Sequence, residues 1–165
     1  MPQPSHPEST PTPRALQLIE QLQLQPHPEG GWYREVFRSP REVRAAVEGA
    51  PAGVTRSALT TIYFLLMEGE PTAWHSVASD EIWHFLEGAP AELLTIDPAD
   101  AHRHTHRLGM LGGGAVPVGI VPAGHGQMAR TLGAFTLVGC TVGPGFDFAD
   151  FKLLRGDAAA GPHRP

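Results

Sequence analysis

From Ala58 to Gly143 the chain is cut into short apolar runs by turn signals that recur every ~8–12 residues, the spacing of a packed all-β domain. The signals are Glu68-Gly69, Ala78-Ser79-Asp80, Gly88-Ala89-Pro90, Asp97-Pro98, Gly112-Gly113-Gly114, Ala123-Gly124 and Leu132-Gly133. The runs between them, at 72–77, 81–87, 91–96, 102–108, 116–121, 127–131 and 134–142, read as strands. Residues 57–67, SALTTIYFLLM, are apolar on both faces and read as a central strand. Eight or more short strands in one chain of 165 residues predict a single-domain sandwich or jelly roll. The 19 glycines and 17 prolines lie between the apolar runs and fit that class better than a helical bundle.

The N-terminal part departs from this pattern. Residues 1–12 carry Pro2, Pro4, Pro7 and Pro11 with almost no apolar anchors and read as a disordered tail. Thr12 followed by Pro13 is a helix start, and Ala15, Leu18, Ile19 and Leu22 repeat at helical spacing until Pro26 stops them. WYREVFRS then alternates as a strand, with Trp32, Arg34, Val36 and Arg38 on one face and Tyr33, Glu35 and Phe37 on the other. Residues 41–57 read as a surface excursion. PGFDFADFKLL, with Phe146, Phe148 and Phe151, is expected to fold back over the β domain, which would span 13–154 and leave 155–165 as a second disordered tail.

The chemistry concentrates in residues 69–88. His75 and Glu81 flank a tight turn, so both can face one interior. With Glu81 inward, strand alternation turns Trp83 and Phe85 inward and Ile82 and His84 outward. Gln127, just after the Pro122-Ala123-Gly124 turn, can join them. The expected constellation is His75, Glu81 and Gln127, walled by Trp83, Phe85 and Tyr63. Arg34 and Arg38 could receive a carboxylate or phosphate through bidentate hydrogen bonds. The plainer alternative is a surface ion pair with Glu35, Glu42 or Asp80.

These motifs resemble a family. Gly69, five residues, His75, one residue, Val77, three residues, Glu81, six residues, Gly88 is similar to the first motif of the cupins, with Val77 where a second His usually stands. Pro122-Ala123-Gly124, two residues, Gln127 is similar to the second motif, with Gln in place of the third His. HPEGGWYREVFRS, ALTTIYFLL, SDEIWHFLEG, VGIVPAGHGQMAR and VGCTVGPGFDFADFKL resemble a group of small single-domain cupins known mainly as a domain of unknown function. The resemblance covers roughly residues 15–154. It implies a cupin jelly-roll barrel with an N-terminal helix, and a homodimer. That group commonly carries an aromatic residue where this chain has Gly126, so a more open pocket wall is expected there.

The resemblance also raises the question of metal. Metal-binding cupins typically offer three His and one Glu, whereas this chain offers His75, Glu81 and the poor ligand Gln127. Such a set could hold a divalent ion weakly, with water completing the shell. It could equally be a polar floor in which the three side chains satisfy one another. In a third reading Glu81 beside aromatic walls serves as an acid and His75 as a base, without metal.

Other histidines carry less. His84 has outward parity, and His125 sits in a turn near the pocket mouth. His102, His104 and His106 share one strand face and would take up nickel or zinc adventitiously. Gly112-Gly113-Gly114 lacks the strand, helix and lysine of a phosphate loop. A net charge of −5 without a basic run argues against nucleic acid. No run approaches the ~18 apolar residues of a membrane span. With no secretory start and a single cysteine, Cys140, in an apolar run, a cytoplasmic location is expected. The functional expectation is a small polar ligand, sugar-like or bearing a carboxylate or phosphate. The protein would be an isomerase or epimerase, a weakly metal-dependent enzyme, or a binding module without turnover.

Overall fold

The computed structural model describes residues 11–45 and 52–154. The expected tails, apart from residues 11 and 12, lie outside these residues. Helix α1 (Pro13–Leu22) starts where its cap chemistry dictates. The Thr12 side chain accepts from the Ala15 amide, Pro13 occupies the first turn, and Gln23 closes the end in the left-handed conformation.

Among the described residues thirteen strands follow: β1 (Gln25–Pro26), β2 (Trp32–Arg38), β3 (Glu42–Ala45), β4 (Val54–Ser57), β5 (Thr60–Met67), β6 (His75–Val77), β7 (Asp80–Gly88), β8 (Ala91–Ile96), β9 (Arg103–Leu108), β10 (Val118–Val121), β11 (Gly126–Thr131), β12 (Phe135–Gly143) and β13 (Phe151–Leu153). They form a six-stranded sheet ordered β1-β2-β5-β12-β7-β10 and a five-stranded sheet ordered β13-β6-β11-β8-β9. Neighbouring strands within both sheets run antiparallel. This is a jelly-roll sandwich; its two sheets face each other without closing into the expected continuous barrel. The surface excursion at 41–57 holds the hairpin β3–β4.

The sheets enclose a core of Phe64, Leu66, Trp83, Leu93, Leu108, Val121, Val138 and Cys140. Gly119 lets β10 approach the facing sheet, since a Cβ there would meet the Leu108 side chain at 2.8 Å. A second core lies on the outer face of the six-stranded sheet, where Ala15 and Leu18 of α1 pack with Leu65, Met67 and Leu137.

Two bulges decide which side chains look inward. One in β2 gives Val36 no partner: Glu35 pairs with Ile62 and Phe37 with Thr61. The other interrupts β7 opposite Leu137 and Val138. The first reverses the expected parity of Arg38, which joins Tyr33 and Glu35 on the inner side while Arg34 stays outside.

Candidate functional site

The open end of the sandwich holds a cavity of about 340 Å³. The inner face of the six-stranded sheet supplies much of it. One transverse row is Arg38, Thr60, Val142 and Glu81; the next is Glu35, Ile62, Cys140 and Trp83. The five-stranded sheet adds His75, Val77 and Phe151, and the segment before β13 adds Phe146, Asp147 and Phe148. The turn between β1 and β2 contributes His27 and Glu29. That turn needs its glycines. Gly30 and Gly31 both have positive φ, and a Cβ on Gly31 would lie 2.9 Å from the Leu65 carbonyl oxygen.

Glu29 is the residue that organises the closed end. Its backbone carbonyl accepts from the Ala73 amide at 2.7 Å. Its carboxylate lies 2.9 Å from His75 Nε2, and both side chains are buried. The other ring nitrogen, His75 Nδ1, lies 2.8 Å from the Ala73 carbonyl oxygen. Both ring nitrogens therefore face acceptors, the arrangement that suits an imidazolium. Burial pulls the His75 pKa down, but the Glu29 hydrogen bond and charge, the Ala73 carbonyl and the Glu81 charge together leave it above its ordinary value. The ring stacks on Phe151 at 5.3 Å between centroids.

Glu81 stands across the floor in a different environment. Burial pushes its carboxyl up to about 7, against the opposing pull of the His75 charge and the Gln127 amide. Gln127 Nε2 donates to Glu81 Oε2 at 2.6 Å, and Trp83 Nε1 donates to Gln127 Oε1 at 3.1 Å. The indole can only donate, which fixes the amide with its oxygen toward Trp83 and its NH2 toward Glu81. Burial also drives the Cys140 thiol well above its ordinary range, with the Glu81 charge adding to it, so this cysteine stays protonated. His27 has its pKa lowered by burial and meets Tyr33 edge-on at 4.6 Å.

Of the side chains singled out from the sequence, His75, Glu81 and Trp83 line the cavity. Gln127 lies behind Glu81 and Trp83, fully buried. Three others lie elsewhere. Tyr63 faces outward against the α1 core, because Thr60, Ile62 and Phe64 take the inward positions of β5. Arg34 donates to the Leu22 carbonyl and the Gln23 side chain at the helix C-terminus. Phe85 sits one row beyond Trp83, opposite Val138 and beside the bulge, outside the cavity. Arg38 does reach the cavity but pairs with Glu35, at 2.9 and 2.7 Å, as the plainer alternative had it. The wall expected to open at Gly126 is filled instead: a Cβ there would meet the Leu154 side chain at 3.0 Å. Glu29, His27, Tyr33 and Cys140 were absent from the expected constellation.

A family model described as Cupin superfamily (DUF985) matches residues 16–154. The chain belongs to this cupin family. It is 32% identical over 153 residues to the uncharacterized protein YML079W of Saccharomyces cerevisiae, covering 86% of this chain and 75% of the yeast protein. A hypothetical protein from Leishmania major has 35% identity and a TM-score of 0.76, covering 85% of this cupin and 86% of that chain. An oxalate decarboxylase from Bacillus subtilis, at 16% identity and a TM-score of 0.56, covers 78% of this cupin and 29% of the enzyme, and shows a shared fold alone.

Cupins as a fold family imply a metal, and the donor set here does not fit one. Both His75 nitrogens are engaged by Glu29 and Ala73. Gln127 turns its NH2, not its carbonyl, toward Glu81. Among the described residues, no three His, Cys, Asp or Glu side chains converge as a metal site would require. Nor is any described helix long and apolar enough to cross a membrane.

Proposed function

We propose that this cupin binds a small polar molecule in the cavity and moves a proton at a carbon next to its carbonyl group, as an isomerase or epimerase does. The observation that carries this reading is the pair of buried carboxylates, Glu29 and Glu81, flanking one imidazole at the floor of an aromatic-walled cavity. Two carboxyl groups held in different environments are what acid–base chemistry needs. Glu29 acts as the base, and His75, 2.9 Å from its carboxylate, holds it in place. Glu81, its carboxyl pushed up to about 7 by burial, supplies a proton from the other side at neutral pH. Since both His75 nitrogens are engaged, His75 serves as a positioning residue.

The test is exchange in D2O. Simple aldoses, ketoses and 2-oxo acids are incubated with the protein, and proton NMR follows loss of the hydrogen next to the carbonyl. Wild-type protein is expected to catalyse exchange on at least one of them. Glu29→Gln and Glu81→Gln should each slow it by ~10²-fold or more. The engagement of both His75 nitrogens favours a second reading, a binding module without turnover. Saturable binding by wild-type protein with no exchange would establish that reading in place of the first.

A further inference from the structure

The charge of the cavity lining narrows the class of ligand, and this step rests on the reading that the cavity is the ligand site. Among the described residues the lining carries four carboxyl groups, Glu29, Glu35, Glu81 and Asp147, against two cationic partners, the Arg38 guanidinium and the His75 ring. Arg38 already has partners. Its Nε and Nη2 donate to the two Glu35 oxygens, and Nη2 also donates to the Phe146 carbonyl at 3.1 Å. The Asp147 charge acts on it as well. The floor already has its own cation partner, since Glu29 is met by the His75 ring, which faces acceptors at both nitrogens. An incoming phosphate or carboxylate would meet surplus like charge in a partly enclosed space, where repulsion is screened least. An incoming ammonium would compete with His75 for Glu29. The polar side chains left to meet a ligand, Gln25, Tyr33, Thr60, Glu81 and Asp147, offer acceptors and neutral donors but no unpaired cation, a set that suits neutral groups able both to donate and to accept. Hydroxyl groups fit, and the aromatic walls fit the apolar faces between them. The volume of about 340 Å³ lies at the small end of ligand pockets, ~300–1,000 Å³.

We infer that the ligand is an uncharged polyhydroxylated molecule of about monosaccharide size, not a phosphorylated, nucleotide-linked or acidic one. The test is titration calorimetry on the full chain with matched sets: free hexoses and pentoses, their phosphates, the corresponding uronates and the amino sugars. At least one free sugar is expected to bind at least tenfold more tightly than its own phosphate, uronate and amine. Glu35→Gln, which removes one lining charge and releases Arg38, should narrow the gap to the phosphate severalfold. Equal or tighter binding of a charged member overturns the inference, and so does the absence of binding by every free sugar. The proton-transfer reading fails separately. Free sugars that bind without deuterium exchange would remove it and leave the ligand class standing, whereas exchange on a 2-oxo acid alone would do the reverse.

Discussion

Glu81 is a carboxyl buried among Trp83, Cys140 and Val142, with an amide rather than a cation at hydrogen-bond distance. Burial holds its pKa at about 7, against a usual value of 4.5. A group whose folded pKa is raised binds a proton that the unfolded chain has already released. Its contribution to stability is therefore complete below about 4.5 and is lost as pH rises through about 7. His75, also raised, adds a loss of the same sign at the upper end of that window. The expectation is that chemical-denaturation stability falls between pH 5 and pH 8, with Glu81 supplying ~3 kcal/mol of the fall at about 1.4 kcal/mol per unit. Glu81→Gln keeps an acceptor for Gln127 and removes the titration. Its profile should be flatter over the same range, and at pH 8 its stability should equal or exceed that of wild-type protein. An unchanged slope in the variant would show that Glu81 is ionised when folded. At this scale His75 and Glu81 were legible because a fixed spacing around one turn announces them. Glu29 was not. It lies in HPEGGW, a turn whose glycines signal backbone geometry, and only the docking of that turn on residues 73–75 brings its carboxylate to the imidazole.

Strand alternation is a rule of period two, and it fails wherever a bulge adds a residue. In β2 the rule put Arg34 and Arg38 on one face; the unpaired Val36 separates them, leaving Arg38 in the cavity and Arg34 at the end of α1. No local feature of WYREVFRS marks the bulge, because it answers to the pairing of β2 with β5. Tyr63 was misplaced for a related reason: a strand apolar on both faces gives no parity signal of its own. The C-terminal segment depends on longer-range contacts still. Arg56 of β4 donates through Nε and Nη2 to both carboxylate oxygens of buried Asp150, at 2.7 and 2.9 Å. Ser57 accepts from the Gly145 amide at 2.7 Å. The β3–β4 hairpin, expected only as an excursion, thus pins the stretch that carries Phe146, Phe148 and Phe151 against the cavity. Arg56→Ala would leave the Asp150 carboxylate buried without its fork, a loss of roughly 2–3 kcal/mol. Limited proteolysis should then cut within residues 144–154 much faster than in wild-type protein. Arg56→Lys should recover part of the stability, since it keeps the charge but not the bidentate geometry. Equal cleavage rates in all three proteins would mean that the hairpin does not hold the segment.

The recurrence of turn signals made the jelly roll legible from the sequence, because a sandwich of short antiparallel strands requires a reversal at each strand end. The spacing does not say which sheet face stays uncovered. α1 covers one part of the outer face of the six-stranded sheet, over Leu65 and Leu137. Beside it a transverse row of Ile120, Ile82, Thr141, Thr61 and Phe37 crosses five strands, a span of roughly 19 Å at ~4.8 Å per strand. The middle of the row is partly buried, with the Thr61 and Thr141 hydroxyls hydrogen-bonded at 3.0 Å. Its ends are open, Ile120 at 57% and Phe37 at 47% exposure, with Val118 beside Ile120 at 44%. A broad, nearly uncharged strip on an otherwise acidic protein is a poor surface to leave in water, and two copies related by a two-fold axis can bury the same strip against itself. We therefore propose a homodimer through this face, which leaves the cavity, on the opposite side of the sheet, open in both subunits. Sedimentation at about 10 µM is expected to give a dimer, a concentration at which an interface of ordinary size is occupied. Ile120→Asp should shift the boundary to the monomer while ligand titrations of the cavity stay unchanged. A monomer in wild-type protein, or a dimer that survives Ile120→Asp together with Phe37→Asp, would place the interface elsewhere.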